Sequence, residues 1–139
     1  MERSRLAPRL GDRAGMTEIV DHVRLPPEPA SAGAARRFVA SALHGADDGA
    51  VTEFAVLLVS EIASNAIVHA RTPFEIKVRV SDSRLRVEVI DGDTARPVLR
   101  AYEPNSESGR GMHIVAATAD RWGCEPLRDG KRVWFELDR

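Results

Sequence analysis

Two hydrophobic rhythms run along this chain, and their order predicts its elements. Phe74-Glu75-Ile76-Lys77-Val78-Arg79-Val80 alternates apolar and polar residues with period two, Ser81-Asp82-Ser83 interrupts it, and Leu85-Arg86-Val87-Glu88-Val89-Ile90 resumes it. That is the pattern of a hairpin with one dry and one wet face. Arg121-Trp122-Gly123-Cys124-Glu125 and Lys131-Arg132-Val133-Trp134-Phe135-Glu136-Leu137, joined across a Gly130 turn, predict a final antiparallel pair. Residues 18–25 read as a further strand that Pro26-Pro27 ends. Other segments carry the helical period. Ser31 starts a helix with Ala34, Ala35, Phe38, Val39 and Leu43 on one side, Arg36 and Arg37 outward and Gly45 at its close. Residues 50–70 contain neither Pro nor Gly and predict one long helix, and residues 112–119 a shorter one. Strand, two helices, hairpin, loop, helix, hairpin is the order of an α+β fold: a two-layer sandwich whose helices cover one face of a mostly antiparallel sheet.

The long helix carries an anomaly. At about 100° per residue, Phe54, Leu57, Leu58, Glu61, Asn65 and Val68 share one broad stripe, while Ala55, Val56, Val59, Ala63, Ala66 and Ile67 line the other sides. A helix so apolar is expected to be buried. A Glu and an Asn in that setting cost about 1–3 kcal/mol each if desolvated without partners. Either the two bond each other on a wet edge of the helix, or water, a metal or a phosphate lies against them.

Composition limits the choices. The 139 residues, 43% apolar, make one domain over residues 17–139 after a flexible tail, residues 1–16, that carries the dispersed Arg3, Arg5, Arg9 and Arg13. Lys+Arg 20 against Asp+Glu 21 leaves no overall field for nucleic acid or an anionic membrane, so neither is expected as a partner. Residues 1–16 lack the apolar core of a signal peptide, and no run of about 18 apolar residues is expected that could span a membrane. The expected location is cytoplasmic. Cys124, the single cysteine, reads as a small hydrophobe in a strand, and His22, His44 and His113 lack metal-ligand spacing.

Residues 91–109 form a loop of Asp, Gly, Thr, Pro, Asn, Ser and Glu with no sustained period, a length that points to function or disorder. At its start, Asp91-Gly92-Asp93 is either a turn signal or a carboxylate placed to accept from an amino group such as that of adenine. At its end, Ser108-Gly109-Arg110-Gly111-Met112 is either a hinge before a helix or a close-approach cradle for phosphates, with Arg110 adding a charge-assisted contact. A P-loop or Rossmann fingerprint is absent.

In this order the three pieces resemble the GHKL (histidine kinase-like) ATPase superfamily, over about residues 17–139. Ser60-Glu61, Asn65-Ala66 and His69-Ala70 resemble its N box, Asp91-Gly92-Asp93 the start of its first glycine box, and Gly109-Arg110-Gly111-Met112 its second. Ala35-Arg36, Asp91 followed by Pro97, and Trp122-Gly123 are similar to the short single-domain anti-sigma factor serine/threonine kinases of the actinobacterial type. The resemblance implies a Bergerat-type sandwich that binds ATP and Mg2+. Glu61 would be the catalytic base or orient the attacking group, and Asn65 would hold the metal. Asp91 would take the adenine amino group, with Asp93 beside it, and Gly109, Arg110, Gly111 and Met112 would hold phosphates under a lid. It also implies an enzyme that phosphorylates an anti-sigma antagonist and sequesters a sigma factor, as a homodimer. The alternative is a nucleotide-gated regulator that binds its partner without phosphotransfer. Three departures favour that alternative: Asp93 and Ala95 stand where the first glycine box has glycines, and Lys131 follows Gly130 where many members have Thr.

Overall fold

The computed structural model describes residues 2–6, 19–44, 49–94 and 109–139. Six strands form one antiparallel sheet in the order β1-β2-β3-β4-β6-β5: β1 Glu2–Leu6, β2 Ile19–Leu25, β3 Phe74–Val80, β4 Arg84–Asp91, β5 Arg121–Leu127 and β6 Gly130–Asp138. Among the described residues three helices, α1 Ala30–Leu43, α2 Gly49–Asn65 and α3 Gly109–Thr118, lie on one face. The α+β sandwich expected from the sequence is the observed fold. Glu2–Leu6, expected within a flexible tail, pairs with β2 at the sheet edge, and residues 7–16 lie outside the described residues.

Period-two alternation decides which side chains meet the helices. Phe74, Ile76, Val78 and Val80 of β3, Leu85, Val87 and Val89 of β4, and Val133, Phe135 and Leu137 of β6 are buried beneath them. Register stacks these into rows, as in Val78 opposite Val87 opposite Phe135. The row at one end of the sheet breaks the apolar pattern: Phe74 pairs with Asp91, and Asp91 with Lys131. α1 lies over β2 and β3, α2 over β4 and β6, and α3 beside β5. Ser31 Oγ donates to the Pro26 carbonyl at 2.7 Å and ties the start of α1 to the end of β2.

α2 corrects the expected stripe. Its inner residues are Ala55, Leu58, Val59, Ile62, Ala63 and Ala66, spaced i, i+3, i+4. Phe54, Leu57 and Val68 are 47%, 44% and 58% exposed. Nearly every side of α2 is apolar, so its sequence alone did not single out the buried side. The helix continues as a π-helical turn, Ala66–Ala70, closed by the Arg71 N–H donating to the Ala66 carbonyl, and Arg71 takes a left-handed φ of 56°. Gly49–Ala70 is 22 residues and holds an 18-residue window of mean hydropathy 1.6, long and apolar enough to cross a membrane by length and composition. Scattered Ser, Thr, Glu and Asn hid that length in the sequence. Here its inner face packs on the sheet and on α1.

Candidate nucleotide site

The expected site residues come from three elements that meet at one end of the sandwich. Asn65 ends α2, the π-helical turn after it touches β4, and Asp91 ends β4. The Gly92 N–H donates to Thr72 Oγ1 at 2.9 Å, which fastens the chain leaving the helix to the residue after Asp91. α3 packs against α2.

Glu61 and Asn65 do not share one environment. Glu61 is half-buried. Asn65 is only 9% exposed, and its Nδ2 is buried without a hydrogen-bond partner. An orphaned buried donor costs about 1–3 kcal/mol and calls for an acceptor that the described residues do not provide. A phosphate oxygen answers that need, and the amide oxygen is a hard donor of the kind Mg2+ accepts. The residues therefore suit a metal-bound phosphate chain. Among the described residues no cluster of three or more His, Cys, Asp or Glu forms a metal site without one.

Asp91 and Asp93 are held by a residue whose role the sequence reading missed. Lys131 Nζ lies 2.9 Å from Asp91 Oδ2, 3.2 Å from Oδ1 and 3.5 Å from Asp93 Oδ2. The Asp93 N–H donates to Asp91 Oδ1 at 2.9 Å. The Lys131 and Asp91 side chains are both 2% exposed, so each charge lost its water and found the other. The signal was available. Lys131 is in phase with Val133, Phe135 and Leu137, and a lysine on the dry face of a strand needs an anion there.

Gly109, Arg110 and Gly111, expected as a loop, form the first turn of α3. Helical backbone leaves the leading N–H groups of that turn unpaired within the helix, which suits an anion. Met112, expected at the ligand, is 1% exposed within the hydrophobic core. Its side chain anchors α3, because helix periodicity turns it inward, and only its backbone N–H remains for a ligand. Arg36, expected to face outward, reaches across to donate to Ser60 Oγ at 2.9 Å, beside Glu61. Pro97 and Ala95 lie outside the described residues.

Residues 25–136 match the family model described as a histidine kinase-like ATPase domain, a span that contains all three motifs. The chain belongs to the histidine kinase-like ATPase family. A comparison with curated proteins finds no match. Membership in this ATPase family implies ATP binding.

The sheet face of this ATPase domain that the helices leave open is built from charge pairs. Arg86 stacks over the Trp134 ring at 4.2 Å and bonds Glu88 at 2.7 Å and Glu136 at 3.2 Å. Arg121 bonds Glu136 at 2.7 Å and also Asp138. Burial acts to raise the pKa of Glu136, but hydrogen bonds from Arg121 and Arg86, with the charge of Arg84 nearby, hold it below the ordinary value. Cys124 sits in β5, where burial pushes its thiol up to about 12.

Proposed function

We propose that this chain is an ATP-dependent serine/threonine protein kinase of the anti-sigma type, which phosphorylates an antagonist protein and sequesters a sigma factor. The observation that carries the reading is the pairing on α2 of a half-buried carboxylate, Glu61, with the orphaned amide of Asn65. Phosphoryl transfer needs positioning and charge neutralisation more than covalent help from the protein. Asn65 would hold Mg2+ through its amide oxygen and a phosphate oxygen through Nδ2. Mg2+ supplies neutralisation of the phosphate charge. Glu61 would orient the attacking Ser or Thr hydroxyl and take its proton as that oxygen bonds to the γ-phosphorus of ATP and the bond from that phosphorus to the bridging oxygen breaks, releasing ADP. The first turn of α3 would meet the phosphates with its N–H groups, and Asp91 would accept from the base. A cytoplasmic homodimer is part of the proposal.

One observation favours the second reading, a nucleotide-gated regulator without phosphotransfer: Asp91 is already engaged by Lys131. Labelled ATP and a co-encoded antagonist decide between the two. Glu61→Ala is expected to keep nucleotide binding while transfer falls by about 10² or more. Unchanged transfer in that variant refutes the role of Glu61, and no transfer by the wild-type chain favours the regulator.

A further inference from the structure

The Asp91 and Lys131 pair offers more than a buried ion pair, and its further role rests on nucleotide binding at this end of the sandwich. An ionised carboxylate has about four lone-pair positions and an ammonium three hydrogens. Among the described residues, Asp91 Oδ1 receives the Asp93 N–H and shares Lys131, whereas Oδ2 receives Lys131 alone. Lys131 spends one hydrogen between the two oxygens of Asp91 and directs a second to Asp93 across a long 3.5 Å. An acceptor position and a donor hydrogen are thus left side by side. The Watson–Crick edge of adenine is the reverse of this, an amino donor at N6 beside an acceptor at N1.

We propose that Lys131 reads the base together with Asp91, donating from Nζ to N1 while Asp91 accepts from the N6 amino group. Lys131 is then a specificity-determining residue and Asp93 a positioning residue that keeps the ammonium in place when Asp91 turns to the ligand. The backbone enforces the arrangement. A Cβ added at Gly130 would lie 1.8 Å from the Asp91 carbonyl oxygen, so only glycine lets β6 approach this closely and set the next side chain against Asp91. Losing a hydrogen bond to a charged group costs affinity about tenfold or more.

The test measures Kd by calorimetry with the whole chain and Mg2+, for ATP, 1-deaza-ATP, which has CH in place of N1, and purine riboside triphosphate, which lacks the amino group. The wild-type chain is expected to bind 1-deaza-ATP about tenfold or more weaker than ATP. Lys131→Met should bind those two alike. Equal binding of ATP and 1-deaza-ATP by the wild-type chain overturns the proposal even if Lys131→Met does not fold. Tighter ATP binding by Lys131→Met also overturns it, since the lysine would then compete with the base for Asp91. Weakened purine riboside triphosphate without weakened 1-deaza-ATP leaves Asp91 as the base reader and removes Lys131. If the wild-type chain binds no ATP, the nucleotide-site reading itself falls, a result distinct from the others.

Discussion

Asn65→Leu should make the protein more stable and blind to nucleotide. Asn65 Nδ2 is buried with no partner, and a donor in that condition costs about 1–3 kcal/mol. Leucine has nearly the shape of asparagine, so the substitution removes the orphan without opening a cavity and adds apolar contact beside Ile62 and Ala66, which are already in the core. A net gain of about 1–2 kcal/mol follows, and in a domain of this size each kcal/mol moves Tm by about 4 °C. Thermal unfolding followed by circular dichroism, without nucleotide and then with Mg2+ and ATP, measures both halves of the prediction. Nucleotide at a hundredfold excess over Kd stabilises a binding-competent chain by about 2.7 kcal/mol, and the variant should gain almost none of it. A loss of more than about 1 kcal/mol without nucleotide would show that the amide is satisfied in the free protein. That result would refute the orphan argument.

Gly130→Ala would place a Cβ against the Asp91 carbonyl, so denaturant unfolding is expected to show a loss of about 1–3 kcal/mol or more. A change within about 0.5 kcal/mol would mean that β4 and β6 separate freely at that point. Glu136 is held below its ordinary value of 4.5, so its contribution is present above the unfolded value, about 4.3, and is lost as pH falls through the lower folded value. Stability measured across that acid window should fall more steeply in the wild-type chain than in Glu136→Gln, and parallel curves would contradict the assignment. Cys124 has its thiol pushed up to about 12 by burial. Iodoacetamide at mildly alkaline pH should therefore label the folded chain about tenfold or more slower than the denatured one, and equal rates would count against that burial.

The sheet was legible because alternation has one meaning where half the residues are charged. β3, β4 and β6 appear within a residue of the expected bounds, since Lys77, Arg86 and Glu136 leave no doubt about which face is wet. α2 was legible as a helix but not as an oriented one. With Phe54 and Leu57 as apolar as Leu58 and Val59, only the sheet beneath it selects the buried side. The site showed the same division. Asn65 and Asp91 were singled out from their motifs, and the structure places them at the ends of α2 and β4. Lys131 was noted as a departure, yet its partner Asp91 precedes it by 40 residues, and no local pattern links them. Met112 was expected both to open a helix and to meet the ligand; the helix begins three residues earlier, at Gly109, and that phase turns the Met112 side chain into the core.

Because β4 pairs with β6 and not with β5, the centre of the sheet closes over the whole stretch from Asp91 to Lys131. The entropy of closing a loop grows only with the logarithm of its length, by about 0.6 kcal/mol per doubling. The kinetics bear the larger burden. The β3 and β4 hairpin forms from neighbours in sequence, whereas β6 must find β4 across a long separation, the kind of contact that slows folding. A chain in which β6 has not yet met β4 lacks the Asp91 and Lys131 pair, and with it an assembled site.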